Sequence, residues 1–194
     1  SSNLKVIGRA GIGVDNIDID SATSKGIIVM NTPHGNSITT AEHTIAMIMS
    51  LARQIPDANV STKKGKWEKS KFVGTEITGK KLGLIGCGNI GSIVVDRAKG
   101  LKMNVQVYDP FLTDDKSKEL GIEKVSFEKL LGSSDIISIH TPLTDSTRNI
   151  INSDNIYSIK KGAWIINCAR GGLIEEKALS DAINCNHIHG AAID

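Results

Sequence analysis

Short apolar runs alternate with helix-forming stretches from about residue 80 to the end of the sequence. Three of these runs are almost continuously apolar, which is typical of strands buried on both faces of a parallel sheet, and they are residues 82–85, 136–139 and 164–166. Helical stretches separate the runs, and the clearest are residues 89–99, 126–134 and 175–184. This alternation predicts an α/β fold in which helices cover a parallel sheet.

A glycine-rich loop follows the first of these strands and opens a helix. Gly86, Gly88 and Gly91 have the spacing that allows a tight turn, a close approach of pyrophosphate to the backbone, and close packing of helix and strand. Asp109 ends the next strand, where its carboxylate would accept both ribose hydroxyls of NAD and repel the 2′-phosphate of NADP. A lone motif of this kind is often a plain turn, but the whole arrangement predicts a Rossmann-type doubly wound domain that binds NAD.

Polar segments close two later strands at the same predicted edge of the sheet. His140-Thr141-Pro142 follows one strand, and Cys168-Ala169-Arg170 follows the next. Because the carboxyl ends of parallel strands share one edge, both segments are expected beside the cofactor. Arg170 presents five donors in a planar fork that suits a carboxylate, so we expect it to bind the substrate. The alternative is an ion pair between Arg170 and the nearby Glu175.

The first third of the chain has a different pattern. A strand, a glycine-rich loop, an acidic turn, a short helix and a second strand are predicted in turn, which make one further strand-helix-strand unit. Turn-forming residues cluster at 32–36, and Ser37 is a candidate N-cap for the helix behind them. We therefore expect a domain boundary between residues 32 and 33.

A long apolar helix is predicted over residues 37–55. Apolar residues recur from Ile38 to Ile55 at the three- and four-residue spacing of a core face, and further apolar residues widen the stripe beyond one face. The helix is therefore either sandwiched within one chain or part of a homodimer interface, with Trp67 in the lysine-rich loop behind it as an anchor. The sequence leaves both alternatives open.

Composition limits the classes of partner. The 23 basic and 21 acidic residues are interspersed, which indicates neither a nucleic-acid surface nor an anionic membrane surface, and no apolar run approaches the length of a membrane span. Three widely separated cysteines favour a reducing, cytoplasmic compartment over a disulfide framework or a zinc site. His187 and His189 form an H-x-H pair without an acidic or thiol partner at ligand spacing, so we expect solvent-facing histidines and no metal site.

Six segments, taken in order along the chain, resemble the motifs of the D-isomer-specific 2-hydroxyacid dehydrogenases. They are RAGIGVDNID, NTPHGNS, GCGNIG with Asp109, HTPL, NCARGG and GAAID. The resemblance implies hydride exchange between C2 of a D-2-hydroxy acid and NAD. In this family an Arg holds the substrate carboxylate, and a His paired with a Glu moves the hydroxyl proton. Arg170 matches the Arg, whereas the His and the Glu of the family lie downstream of the GAAID-like segment. This chain alone is therefore expected to be inactive.

The resemblance also assigns domains and further site residues. Residues 1–32 would be the incomplete C-terminal part of a substrate domain, and residues 33–194 an NAD-binding domain truncated at its C-terminal end. The substrate would be held by Arg9, Ala10, Gly11, Ile12, Gly13, Asn36 and Arg170. The cofactor would contact Gly86, Gly88, Asn89, Ile90, Gly91, Asp109, His140, Thr141, Pro142, Cys168, Ala169, Arg170 and Asp194.

Two of these positions depart from the residues of some relatives. Relatives have a hydroxyl residue in place of Ile12 and an arginine in place of Asn89, so backbone contacts are expected there. RAGIGVDNID and NTPHGNS favour the branch of the family that oxidises 3-phospho-D-glycerate to 3-phosphohydroxypyruvate in L-serine biosynthesis. A glyoxylate or hydroxypyruvate reductase of the same family and an NAD-sensing, corepressor-like binding module are the alternatives.

Overall fold

A computed structural model describes residues 3–33 and 35–194, and its strands form two separate parallel sheets. The first sheet belongs to a small unit in which β1 (Val6–Gly8) pairs with β2 (Ile28–Met30), and α1 (Ile19–Ser24) connects the two strands. Asp18 caps α1 by accepting a hydrogen bond from the Ser21 N–H at 2.8 Å. The predicted strand-helix-strand unit is thus present.

Six parallel strands form the second sheet, in the spatial order β5-β4-β3-β6-β7-β8. They are β3 (Lys81–Ile85), β4 (Asn104–Tyr108), β5 (Glu123–Lys124), β6 (Ile136–Ile139), β7 (Trp164–Asn167) and β8 (Gly190–Ile193). From β3 the chain adds β4 and then β5 on one side of the sheet. It then crosses to the other side of β3, where it adds β6, β7 and β8, so the strand order reverses between β3 and β6. A crevice outside the carboxyl ends of β3 and β6 is where such folds bind ligands.

Helices cover both faces of the larger sheet. The helices of this unit are α2 (Ser37–Arg53), α3 (Ile55–Lys63), α4 (Asn89–Gly100), α5 (Asp114–Leu120), α6 (Phe127–Ser133) and α7 (Glu176–Asn184), with 3₁₀ turns at Lys69–Lys71 and Ile156–Ser158. Buried residues of α2 and α4 pack on one face, and buried residues of α6, α7 and the second 3₁₀ turn pack on the other. The predicted Rossmann-type doubly wound fold is confirmed.

The long helix is shorter than the sequence predicts. α2 ends at Arg53, Gln54 takes a left-handed conformation with φ 52°, and α3 then begins. Pro56 explains the break, because proline has no N–H to donate to the Ala52 carbonyl. The Thr75 N–H donates to that carbonyl instead, at 2.8 Å.

The start and the buried face of α2 also differ from the prediction. Asn36, rather than Ser37, occupies the N-cap position, and Ser37 is a buried first helical residue. The fully buried stripe includes Ala41 and Ile48, whereas Ile38 and Ile55 are 57% and 51% exposed. The stripe packs against α4, β7 and β8 within the chain. The alternative of a helix sandwiched within one chain therefore holds for this face of α2.

No helix within residues 3–33 and 35–194 is long and apolar enough to cross a membrane.

Candidate active site

The turn between β3 and α4 is a cradle lined by backbone. A Cβ atom on Gly86 would lie 2.7 Å from the His140 carbonyl oxygen, and one on Gly91 would lie 2.7 Å from the Gly86 carbonyl oxygen. Neither position has room for a side chain. A Cβ on Gly88, in contrast, would have no atom of the described residues within 4 Å, and Gly88 is exposed. The free N–H groups at the start of α4 therefore face an open space that suits an anion.

Asp109 lies at the carboxyl end of β4 and binds this turn directly. Its Oδ2 accepts the Cys87 N–H at 2.7 Å, and its Oδ1 accepts the Phe111 N–H at 2.8 Å. A carboxylate has about four acceptor sites, so Asp109 retains acceptors for ribose hydroxyls. Burial, and then the charge of Asp109, raise the pKa of the Cys87 thiol to about 11, which makes this cysteine an uncharged packing residue.

The segment after β6 forms the opposite wall of the cradle. His140 Nε2 lies 2.9 Å from Ser138 Oγ, and burial lowers the pKa of His140 to about 4, so its ring is neutral at physiological pH. The Thr141 hydroxyl is buried without a hydrogen-bond partner among the residues that the structure describes. A buried hydroxyl left unpaired beside an open cradle is suited to a ligand. Pro142 is exposed and its carbonyl accepts the Thr147 hydroxyl at 2.6 Å.

Asn167 shapes the turn that carries Arg170. Its Nδ2 donates to the Arg170 carbonyl at 2.8 Å, and its Oδ1 accepts the Ala169 N–H at 3.0 Å. This buried side chain is part of the site that sequence reasoning missed, although an Asn at a strand end is a known turn signal. Cys168 is buried beneath the turn, and burial raises the pKa of its thiol.

Arg170 forms an ion pair across the two units of the chain. Its Nε donates to Asp15 Oδ1 at 3.0 Å, and its Nη1 donates to the Ala169 carbonyl at 2.7 Å. Glu175, the alternative partner suggested by the sequence, instead accepts the Ser153 N–H at 2.8 Å. Arg170 thus faces the glycine-rich loop of the small unit, which proximity in the sequence did not predict.

That loop runs from β1 into the acidic turn and is held at its base by β2. The Thr32 Oγ1 accepts the Gly11 N–H at 2.8 Å, and the Asn31 Nδ2 donates to the Ile12 carbonyl at 2.8 Å. Arg9 folds back to donate to the Ala10 carbonyl at 2.9 Å. The backbone from Ala10 to Gly13 therefore forms the wall opposite Arg170, while Asn36 is exposed at the start of α2.

The remaining predicted residues also lie on elements that border this edge. Asn89 and Ile90 form the first turn of α4, exposed and half-buried respectively. Asp194 follows β8, and its carboxylate lies 3.6 Å from His43 Nε2 on α2. His34 lies outside the described residues.

The H-x-H pair is not arranged as the sequence predicts. His187 and His189 precede β8, and His187 is half-buried with its Nε2 2.9 Å from the Ile159 carbonyl. His189 is exposed, as expected. Within residues 3–33 and 35–194 no cluster of three or more His, Cys, Asp or Glu side chains could hold a metal ion.

Comparisons with known proteins agree on one family. Residues 45–194 match the family described as D-isomer specific 2-hydroxyacid dehydrogenase, NAD binding domain. The whole chain is 52% identical to D-3-phosphoglycerate dehydrogenase of Bacillus subtilis, of which it covers 37%. The chain therefore spans a little over a third of that relative.

Solved structures of dehydrogenases and reductases are also similar to this chain. D-lactate dehydrogenase of Aquifex aeolicus, complexed with NAD and lactic acid, superposes with a TM-score of 0.90 at 35% identity over 98% of this chain and 57% of that one. A glyoxylate reductase of Paecilomyes thermophila superposes with a TM-score of 0.92 at 34% identity, over 100% of this chain and 58% of that one.

The half-buried His140, whose ring is neutral in the folded state, should make the stability of the fold depend on pH. The unfolded state takes up a proton near pH 6.5, whereas the folded state does so only near pH 4, so lowering the pH between these values favours unfolding. We expect His140 to reduce the free energy of unfolding by about 2 kcal/mol between pH 7.5 and pH 5. Urea unfolding of the wild type and of His140→Gln at several pH values measures this.

The variant should lack this part of the pH dependence, and His189→Gln, at an exposed histidine, should keep it. An equal slope for wild type and His140→Gln would contradict the assignment.

Proposed function

Because this chain belongs to the D-isomer specific 2-hydroxyacid dehydrogenase family, with residues 45–194 as an NAD-binding domain, we propose that the complete protein oxidises 3-phospho-D-glycerate with NAD. The product would be 3-phosphohydroxypyruvate, a precursor for L-serine. One observation carries the proposal: Arg170 lies at the same sheet edge as the glycine cradle, with guanidinium N–H groups left to bind a carboxylate. The 52% identity to a phosphoglycerate dehydrogenase supports the choice of substrate.

The cradle fits a dinucleotide. Gly86 and Gly91 leave no space for a side chain, Gly88 leaves an open approach, and the Thr141 hydroxyl has no partner among the described residues. All three features favour a pyrophosphate and its neighbouring ribose here. Asp109 would accept ribose hydroxyls. Bound NAD supplies the acceptor for the hydride.

The nicotinamide end would lie farther along the same edge. The small or half-buried side chains of Cys168 and Ala169 leave room for a flat ring, and Asp194, at the end of β8, is suited to accept from a carboxamide. The first turn of α4, with Asn89 and Ile90, would contribute backbone N–H groups. His140 and Pro142 would line the opposite wall.

The substrate would lie between the two units of the chain. Arg170 would bind its carboxylate in two parallel hydrogen bonds, and the loop from Ala10 to Gly13 would offer backbone groups to the hydroxyl and the rest of the molecule. Arg9 and Asn36 would bind the far end of the substrate. In the family, the proton-transferring His and Glu follow the GAAID-like segment, so residues 1–194 alone should bind NAD and turn over poorly.

The domain boundary between residues 32 and 33 is part of the same proposal. β1 and β2 pair only with each other among the described strands, and the exposed Ile28 and Met30 leave one side of this small sheet uncovered. Residues 1–32 would thus belong to the substrate domain, and residues 33–194 to the NAD-binding domain.

We also propose that the protein forms a homodimer and is located in the cytoplasm. Trp67 is 87% exposed and Val73 is 73% exposed, close in sequence to the exposed Ile55 and Val60 of α3. Large exposed apolar side chains are typical of interfaces. All three cysteines are free thiols, which favours a reducing compartment.

Substrate oxidation tests the activity directly. The complete protein should reduce NAD with 3-phospho-D-glycerate, and Arg170→Ala should lower kcat/KM by roughly 10³-fold because a charge-assisted bidentate pair is lost. The dissociation constant for NAD should stay within about threefold of the wild-type value, and Arg97→Ala, on the far end of α4, is the control.

Efficient reduction of glyoxylate or hydroxypyruvate without oxidation of 3-phospho-D-glycerate would assign the protein to the reductase branch. NAD binding without any turnover would favour a binding module.

Cofactor choice should depend on Asp109. Asp109→Ala should weaken NAD binding roughly tenfold and NADP binding much less, because the carboxylate that accepts the ribose hydroxyls also repels a 2′-phosphate. Calorimetric dissociation constants for both dinucleotides measure the change. Asp109→Asn keeps an oxygen for the Cys87 N–H, so it removes the negative charge and preserves the shape of the turn. Asp115→Ala, which removes an exposed carboxylate, is the control. An unchanged preference would mean that another residue selects the cofactor.

The homodimer should depend on Trp67. Trp67→Ala should weaken association by roughly 2 kcal/mol or more, since a buried tryptophan is a frequent anchor of interfaces. Sedimentation velocity over a concentration series measures it. Phe111→Ala, at a 92% exposed residue on the loop after β4, should leave association unchanged. A wild-type protein that is monomeric at all concentrations would contradict the proposed interface.

A further inference from the structure

The ion pair between Asp15 and Arg170 joins residues 155 positions apart in the sequence, one in each unit of the chain. The Asp15 side chain is 50% exposed and the Arg170 side chain 37% exposed, so the pair lies at the mouth of the space between the units. We infer that Asp15 is a positioning residue that holds the Nε side of Arg170 and leaves its Nη end to bind the carboxylate of the 2-hydroxy acid. This inference rests on the proposed function.

The hydrogen bonds of the guanidinium show which of its N–H groups are already taken. Arginine has five N–H donors, of which Asp15 takes the one on Nε and the Ala169 carbonyl takes one on Nη1. No other acceptor among residues 3–33 and 35–194 takes an N–H of Arg170, which leaves three N–H groups on Nη1 and Nη2. A carboxylate needs two parallel donors, and the free pair lies at the Nη end. Asp15 therefore removes the competing approach along the Nε side and leaves one orientation for the substrate.

Gly13 allows this arrangement. A Cβ atom on Gly13 would lie 1.8 Å from Arg170 Nη2 and 2.5 Å from Asp15 Oδ1, so any side chain there would displace the guanidinium and its partner. The Nη2 atom thus lies directly against the Gly13 backbone. Gly13 and Asp15 fix Arg170 from two directions.

Asp15 is itself held by its own loop. The Ile17 N–H donates to the Val14 carbonyl at 2.9 Å, and the Asn31 side chain anchors the Ile12 carbonyl. A hydrogen bond from its own backbone N–H, and then the bond from Arg170, lower the pKa of Asp15. Asp15 is therefore an ionised, preplaced acceptor throughout the physiological pH range.

A second role would fit the same contact. Asp15 could imitate the substrate carboxylate and be displaced from Arg170 when the substrate binds. The three free N–H groups favour positioning, because the substrate needs no displacement to find a bidentate site. The two roles predict opposite effects of removing Asp15 on substrate affinity.

The first test uses the complete protein with Asp15→Ala, Asp15→Asn and the control Asp20→Ala, which removes an exposed carboxylate from the neighbouring helix. For Asp15→Ala we expect the KM of the hydroxy acid to rise about tenfold, with the dissociation constant of NAD within twofold of wild type. Asp15→Asn should recover most of the loss, because its amide oxygen still accepts the Nε–H. A lower KM would establish displacement, and an unchanged KM would remove any role in substrate binding; either result overturns the inference.

The second test separates positioning from a merely structural contact. The affinity of the NADH complex for oxamate, a non-reacting 2-oxo acid, is measured by NADH fluorescence for wild type, Asp15→Ala, Arg170→Lys and the double variant. Lysine has no Nε–H for Asp15 to hold. Asp15→Ala should therefore weaken oxamate binding about tenfold in the wild-type background and by less than twofold in the Arg170→Lys background. Equal losses in both backgrounds would overturn the inference.

Failure of the proposed function and failure of the positioning role give different results. A wild-type protein that oxidises no hydroxy acid refutes the proposed function, whereas turnover by wild type with an unchanged KM in Asp15→Ala refutes only the positioning role.

Discussion

The backbone contact between Gly86 and the end of β6 is the constraint on which the rest of the site depends. With 2.7 Å between a notional Cβ and the His140 carbonyl oxygen, only glycine lets β3 turn into α4 while β6 stays paired beside it. The φ of 95° at Gly86 adds a second reason, because L side chains rarely adopt it. The start of α4, the Asp109 carboxylate and the Thr141 hydroxyl are all positioned by this turn.

Asp109 links the fold to the chemistry of the cradle. Its carboxylate accepts N–H groups from both Cys87 and Phe111, so the group expected to bind ribose also closes the glycine turn on β4. The proposed recognition of the cofactor and the shape of the loop would therefore share one residue.

The opposite half of the site depends on contact between the two units. Arg170 stands at the carboxyl end of β7, held by the Asn167 turn, while Asp15 and Gly13 approach from the small unit. The guanidinium is thus fixed between a carboxylate, a carbonyl and bare backbone. Two arginines, Arg170 and Arg9, act on one carboxylate here, that of Asp15, and this excess of positive charge suits an anion.

Local patterns in the sequence determined much of this molecule. The apolar strands, the glycine spacing and Asp109 specify a doubly wound sheet with a dinucleotide cradle, because period, turn chemistry and strand ends are properties of neighbouring residues. The break after α2 was predictable in principle from Pro56, which cannot donate to the carbonyl four residues earlier. α5 contains a single apolar residue, Leu120, and β5 is only two residues long, so neither has an apolar period in the sequence.

Only the tertiary structure decided which residues meet across the chain. The partner of Arg170 is Asp15 rather than the neighbouring Glu175, and Ile38 of α2 faces outward although its spacing fits the buried stripe. Such contacts depend on how two units dock and on which surfaces face each other. Neither follows from spacing along the chain, because residues 155 positions apart are brought together by packing and charge alone.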